Sequence, residues 1–169
     1  RKGGGAALTA KSAQNDLAQS DWAPGGCQCG AIRYRVDLAQ VLTLYRCHCR
    51  DCQKLTSTAF GLSMFVPEAA FELLQGRPKQ AARRADSGRI VDSFFCDACG
   101  SRIYNTSPAR PGLVNARPGT LDDPGDLQPV GDLWTDSKQA WVALLEGGLH
   151  YPRQPDNLEA LVARYQAGG

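Results

Sequence analysis

The seven cysteines are the residues of this chain whose type and spacing point most directly to chemistry. We call them the first pair, the middle group and the late pair: Cys27 and Cys29; Cys47, Cys49 and Cys52; Cys96 and Cys99. Thiolates so close in sequence can turn onto one metal ion. A structural zinc is closed by four such ligands, whereas a catalytic zinc has three and keeps a position open. The spacing therefore predicts zinc binding.

The late pair is a CxxC motif followed by Gly100, which is typical of a zinc knuckle. A knuckle supplies two ligands, so the first pair is a natural partner, and the middle group then forms a three-thiolate site with an open position. The spacing alone also permits the first pair to join two members of the middle group. Buried free thiols are disfavoured by the paired spacing. A thioredoxin-like redox pair is disfavoured because no βαβ pattern surrounds it.

Composition limits the function classes. The chain has 169 residues, 43% hydrophobic and 21% charged, which indicates one globular domain. A formal net charge of +2 disfavours nucleic acid as a partner, although basic residues concentrate between 77 and 89. No apolar run reaches the roughly 20 residues of a membrane helix, and we expect no membrane association. An odd cysteine count without an export signal disfavours a disulfide scaffold and favours a reducing, cytoplasmic location.

The cysteines must be positioned mainly by β-structure. Alternating apolar and polar residues predict strands, and one convincing helix follows Asp156, which can cap it, with Glu159 placed as in a capping box. We expect an N-terminal extension over 1–23, a zinc-binding domain over 24–155 and a C-terminal helix packed on it over 156–169. The expected strands are 32–38, 41–45, 60–66, 71–74, 90–95, 102–105, 113–116 and 133–142.

Three segments in a fixed order carry a family resemblance: 25–34, 47–54 and 95–100, followed by the stretch 135–141. Together they resemble the glutathione-dependent formaldehyde-activating enzyme family, which includes centromere protein V. The resemblance extends over 24–155. It implies a mainly β fold of folded antiparallel sheets around two zinc sites, similar to the Mss4-like or β-tent architecture, with one short C-terminal helix.

The resemblance also implies roles for the cysteines. The first and late pairs would hold a structural zinc, and the middle group a second zinc at which a thiol such as glutathione acts. Cys49 would be the loosely held ligand and hence the catalytic residue. The chain departs from the usual family pattern at four positions near the substrate side, none of them a metal ligand: Gln28, Gln53, Ser57 and Asp132.

The resulting hypothesis is a zinc-dependent carbon–sulfur lyase. It would make or break adducts between a glutathione-like thiol and an aldehyde or other small electrophile, as in S-(hydroxymethyl)glutathione formation. Three thiolates on a divalent ion leave a net charge of −1, which favours sulfur ligands over the activation of water. Arg50 and Lys54 flank the middle group and are candidates to bind a substrate carboxylate. His48 is expected to point away from the metal.

Two alternatives remain open at this level. The chain could be a non-enzymatic zinc module that binds another protein, with both metals structural. It could also be a redox or metal sensor, in which the middle group releases zinc when it is oxidised. As an enzyme, its partners would be a small-molecule thiol or electrophile, and the sequence is compatible with a homodimer.

Overall fold

The computed structural model describes residues 21–168, which form eleven strands and two α-helices joined by short turns. The strands are β1 (Trp22–Gly26), β2 (Arg33–Asp37), β3 (Thr43–Cys47), β4 (Gly61–Pro67), β5 (Phe71–Gln75), β6 (Lys79–Arg84), β7 (Ile90–Phe95), β8 (Arg102–Thr106), β9 (Leu113–Ala116), β10 (Gly131–Leu133) and β11 (Leu149–Tyr151). The helices are α1 (Arg50–Thr56) and α2 (Glu159–Gln166).

The strands form two sheets. A three-stranded sheet has the order β1-β2-β5, and an eight-stranded sheet has the order β11-β10-β3-β4-β9-β8-β7-β6. All pairings are antiparallel except those of β10, which runs parallel to both β3 and β11. The expected mainly β fold of folded antiparallel sheets is therefore confirmed, with a parallel connection at one end of the larger sheet.

Alternation along the strands builds the core between the sheets. In β2, Tyr34 and Val36 are fully buried, and they share one apolar cluster with Met64 and Val66 of β4 and Ile103 of β8. Burial of these side chains away from water is the main force that holds the two sheets together. Cys27 and Cys96 belong to the same cluster, so core packing positions the turns that carry them.

Several elements differ from the sequence-based expectation. The expected strand over 133–142 ends at Leu133, because Trp134 adopts a left-handed backbone conformation with φ 63° and a 3₁₀ turn follows. Strand β1 includes Trp22 and Ala23 of the expected N-terminal extension, whereas residues 1–20 of that extension lie outside the described residues. The edge strand β6 was not expected, since its exposed polar sequence lacks apolar alternation.

The C-terminal helix is confirmed but begins later than expected, at Glu159. Asp156 does not cap it, and the side chain of Asn157 instead accepts a hydrogen bond from the Glu159 backbone N–H at 3.0 Å. The helix buries Leu161 completely against β3, where the Thr43 hydroxyl donates to the Leu161 carbonyl at 3.2 Å. This contact places α2 behind the strand that leads into the middle group.

Candidate functional site

The first and late pairs meet in one four-cysteine cluster, whose sulfur atoms all lie within 4.8 Å of one another. Cys27 and Cys29 lie in the turn between β1 and β2, and Cys96 and Cys99 lie in the turn between β7 and β8. The Sγ atoms of Cys29 and Cys96 are 3.7 Å apart, although 67 positions separate the residues in sequence. The cluster therefore joins the tips of two hairpins that belong to different sheets.

Backbone geometry directs the four sulfurs towards each other. The Ile32 N–H donates to Cys27 Sγ at 3.2 Å, and Cys99 Sγ lies 3.3 Å from the Ser101 hydroxyl. Gly100 has φ 75°, a conformation that favours glycine, and its N–H donates to the Cys96 carbonyl at 2.8 Å. Four sulfur donors, two from each turn, fit a closed site for a soft divalent ion such as zinc.

The middle group forms a separate three-cysteine cluster, again with all sulfur atoms within 4.8 Å of one another. Cys47 ends β3, Cys49 precedes α1 as its N-cap, and Cys52 lies in the first turn of that helix. The Cys49 sulfur accepts a hydrogen bond from the Cys52 N–H at 3.4 Å. Because a strand end and a helix start contribute the sulfurs, six consecutive residues are enough to build this cluster.

Close packing also positions Cys52. Gly61 in β4 lies so near that a Cβ atom at this position would be 3.3 Å from the Cys52 Cβ and 3.5 Å from its Sγ. Gly61 pairs with Cys47 across β3 and β4. The sheet therefore contacts the cluster from one side, and any larger side chain at position 61 would press on it.

The three thiols are electrostatically coupled. Hydrogen bonding with Cys49 and Cys52, together with burial, raises the pKa of Cys47 well above its ordinary value. Cys47 and Cys49 act in the opposite direction on Cys52, and with the nearby Arg117 they lower its pKa to about 3. Neighbouring thiols cannot all ionise together without a compensating cation. A divalent metal would supply that charge, so the donor set fits zinc here as well.

A buried carboxylate supports the residue between Cys47 and Cys49. His48 is fully buried, and its Nε2 lies 2.7 Å from Oδ1 of Asp132, which is also fully buried. Arg46 donates to both oxygens of Asp132, at 2.6 and 3.0 Å, and the Leu145 N–H donates at 2.8 Å. Burial acts to raise the pKa of Asp132, but these donors outweigh it and lower the pKa. As expected, His48 is not part of the three-cysteine cluster.

The backbone of His48 is also held on both sides. Its N–H donates to the Leu133 carbonyl at 2.9 Å, and its carbonyl accepts from the Gln53 amide at 2.7 Å and from the Ser137 hydroxyl at 2.9 Å. Gln53 and Ser137 come from α1 and from the turn after β10. These contacts fix the loop that carries Cys47 and Cys49 against β10.

The three-cysteine cluster opens into a cleft, whose wall includes the aromatic side chains of Tyr45, Phe65 and Trp134. Tyr45 and Phe65 stack with ring centroids 6.1 Å apart. Burial is the main cause that raises the pKa of the Tyr45 hydroxyl to about 12. The left-handed conformation of Trp134 occurs at this wall, and such non-glycine strain tends to concentrate at functional sites.

Positive charge dominates the polar lining of the cleft. In the part of the chain that the structure describes, it is lined by four arginines and one carboxylate, that of Asp86; the arginines are Arg83, Arg89, Arg110 and Arg117. Arg83 is paired with Asp51 of α1, and the Arg117 guanidinium donates to the Leu62 carbonyl at 2.7 Å. Burial lowers the pKa of Arg117, an effect that the nearby Cys52 opposes. The arrangement favours an anionic ligand next to the sulfurs.

The structure places the expected carboxylate-binding residues elsewhere. Arg50 and Lys54 are exposed on α1 and line a separate shallow depression with Gln139 and Trp141, away from the cysteine cleft. The helix directs Cys52 towards the cluster and these two side chains outwards, because positions two residues apart face different sides of a helix. The arginines that do line the cleft come from distant strands and turns. Sequence spacing gave no signal for them beyond the basic concentration between 77 and 89.

Comparison with known proteins agrees with this geometry. The family model described as "Glutathione-dependent formaldehyde-activating enzyme" matches residues 23–137. The chain belongs to this family. The match contains both cysteine clusters, so the resemblance inferred from the motifs is confirmed, and the family is enzymatic. Activation of formaldehyde by glutathione is a reaction between a thiol and an aldehyde.

Two further similarities accompany the family match. A protein of Halomonas elongata named "Putative glutathione-dependent formaldehyde-activating enzyme" is 24% identical over 124 residues, covering 71% of this chain and 79% of its own length. A crystal structure of a Rhodobacter sphaeroides protein has a TM-score of 0.46 at 17% identity, covering 76% of this chain and 98% of its own. Within the described residues, neither helix is long and apolar enough to cross a membrane.

Proposed function

We propose that this protein is a zinc-dependent carbon–sulfur lyase that makes or breaks the adduct of a glutathione-like thiol with an aldehyde, formaldehyde being the simplest case. The observation that carries the proposal is the three-cysteine cluster, which opens into a cleft lined by four arginines. A three-sulfur donor set has room for a further sulfur ligand, unlike the four-cysteine cluster. We therefore assign chemistry to the middle group and a structural role to the other two pairs.

A zinc ion held by Cys47, Cys49 and Cys52 would lower the pKa of a thiol brought to it, so that the thiolate exists at neutral pH. In the forward reaction, the thiolate sulfur forms a bond to the aldehyde carbon. The carbonyl π electrons move to the oxygen, which takes up a proton to give the hydroxymethyl thioether. The reverse reaction removes that proton, re-forms the carbonyl and releases the thiolate.

The residues around the three-cysteine cluster supply positive charge and an apolar wall. Arg83 and Arg117 place positive charge near Cys52, which stabilises sulfur anions in the cleft. Tyr45 and Phe65 form an apolar wall that limits the access of water. Cys49 is the N-cap residue between the strand that carries Cys47 and the helix that carries Cys52, and we propose that it is the ligand that yields most readily to the substrate sulfur. The partners are then a small thiol and an electrophile, in a reducing compartment such as the cytoplasm.

The test combines the metal content with the rate of adduct formation. We expect two zinc ions per native chain and an accelerated exchange between glutathione, formaldehyde and S-(hydroxymethyl)glutathione, measured by NMR exchange spectroscopy. Cys49→Ala should lose the acceleration by at least tenfold while one zinc stays tightly bound. Leu55→Ala, on the exposed side of the same helix, is the matched control and should retain both properties.

Measurements on the native protein alone can refute the proposed lyase activity. Native protein that holds two zinc ions but exchanges glutathione and formaldehyde no faster than buffer would favour the zinc interaction module. Reversible loss of one zinc on oxidation, with disulfide formation in the middle group and no catalysed exchange, would favour the sensor. Full activity in Cys49→Ala would remove this cysteine from the chemistry.

A further inference from the structure

Two of the four cleft arginines differ from the others in their surroundings. Arg83 pairs with Asp51, and Arg117 donates to the Leu62 carbonyl, so both have protein partners, and both lower the pKa of Cys52. Their charge is thus directed at the sulfurs. Arg89 and Arg110, in contrast, form no ion pair with any carboxylate in residues 21–168.

Arg89 and Arg110 lie where the cysteine cleft continues outwards. Both line the cleft at the three-cysteine cluster and also the adjoining depression beside Trp134. Arg89 follows the turn after β6, and Arg110 belongs to the turn between β8 and β9. The Arg110 guanidinium carbon lies 5.1 Å from the centroid of the Phe65 ring, which fixes its orientation along the wall. Two separate turns therefore bring two guanidinium groups to one cleft.

This arrangement places two positive charges in one partly buried cleft. Both side chains are half-buried. Burial and the neighbouring Arg110 lower the pKa of Arg89, which reports two like charges held close together and partly removed from water. Among the cleft-lining residues within 21–168, Asp86 is the only carboxylate, and it is exposed. A bound carboxylate would accept hydrogen bonds from the guanidinium groups and relieve their repulsion.

We propose that Arg89 and Arg110 form a carboxylate-binding subsite that makes the protein selective for anionic thiols over neutral ones. The inference rests on the proposed function, because the three-cysteine cluster would hold the sulfur end of the same molecule. The substrate class is then a thiol with a carboxylate several bonds from its sulfur, as in a peptide thiol. Arg83 and Arg117 serve the sulfur, and Arg89 and Arg110 recognise the carboxylate.

The experiment measures binding separately from turnover. S-Methylglutathione keeps both carboxylates but has no free thiol, so it binds without reacting. We expect isothermal titration calorimetry on the zinc-loaded protein to give about tenfold weaker binding for Arg89→Gln and for Arg110→Gln, which is the loss of one charge-assisted hydrogen bond each. Arg77→Gln, an exposed arginine outside the cleft, is the matched control and should bind like the native protein.

Esterified S-methylglutathione, with both carboxylates blocked, supplies the second arm. The ester should bind the native protein at least tenfold more weakly than the free acid does. Its affinity for Arg89→Gln and Arg110→Gln should equal its affinity for the native protein. In turnover, each variant should raise KM for glutathione about tenfold with kcat and zinc content unchanged, and should leave kcat/KM for 2-mercaptoethanol unaltered.

The possible failures are distinguishable. Arginine-dependent binding of S-methylglutathione without any catalysed exchange would refute the proposed function and leave the carboxylate subsite in place. Catalysed exchange with equal binding by native protein and both variants would refute the subsite alone. Absence of S-methylglutathione binding to the native protein, or equally tight binding of the ester, would also overturn it.

Discussion

Replacement of Asp132 by asparagine is expected to destabilise the protein strongly and to loosen the three-cysteine cluster before the four-cysteine one. Asp132 is fully buried and accepts hydrogen bonds from Arg46, His48 and the Leu145 N–H. Each oxygen accepts two of these contacts. Asparagine retains one oxygen, and its amide nitrogen would face donors, so two contacts become repulsive and the Arg46 charge loses its partner.

The expected size follows from these contacts. Removal of one member of a buried ion pair costs about 3–5 kcal/mol, because the other charge stays buried and unpaired. The Arg46 side chain is only 13% exposed, so solvent does little to compensate it. For a chain of this length each kcal/mol lowers Tm by about 2–4 °C, which gives a decrease of roughly 10 °C. His48 loses its anchor as well, so we expect Cys47 and Cys49 to release zinc more readily.

The assay is thermal unfolding followed by circular dichroism, with zinc counted before and after exposure to a weak chelator. Glu72→Gln makes the same chemical change in an exposed ion pair with Arg35, where about 0–1 kcal/mol is expected. Equal melting temperatures for Asp132→Asn and Glu72→Gln would refute the reasoning. If Asp132→Asn lost zinc from the four-cysteine cluster first, His48 would not be the residue that holds Cys47 and Cys49 in place.

Two further predictions concern packing and pH. Gly61→Val should lose about one zinc per chain under mild chelation, and Gly61→Ser should lose less, as measured by elemental analysis. The reason is that the Cβ added at position 61 would lie 3.3 Å from the Cys52 Cβ, so the branched valine side chain would crowd Cys52. For Asp37, hydrogen bonds from Gln40 and two backbone N–H groups outweigh burial and lower the pKa below 3.8. The ionised Asp37 therefore stabilises the fold above pH 3.8, and this contribution is lost as the pH falls through the pKa of the folded state. Between pH 5 and pH 2, urea titrations should show a smaller loss of stability for Asp37→Asn than for the native protein.

The cysteine groups could be predicted because short spacing encodes the ligand geometry. A turn of three or four residues already brings two sulfurs together, so each group follows from its spacing. The spacing left the division into four and three open; the family resemblance implied it, and the structure forms it. The direction of His48 followed from its place between two cysteines. The contact between His48 and Asp132 could not be predicted, because it depends on the parallel pairing of β10 with β3, which has no local sequence pattern.

The positions of the cleft arginines could not be predicted from the sequence either. Arg50 and Lys54 were expected at the substrate because they are close in sequence to the cysteines, but the α1 helix turns them to another face. Arg110 and Arg117 are distant in sequence and reach the cleft only through the order β4-β9-β8 of the larger sheet. The α1 helix itself was missed, because its seven residues follow a cysteine N-cap and overlap the cysteine motif, which resembles a metal-binding loop.

The two cysteine clusters differ in how much of the chain must exist before each can form. The three-cysteine cluster lies within six consecutive residues, so a nascent chain can take up metal there while later strands are still being synthesised. The four-cysteine cluster needs loop closure across 67 positions and both hairpins in place. We therefore expect the three-cysteine cluster to acquire its metal first, and the metal at the four-cysteine cluster to bind last and to complete the pairing of the two sheets.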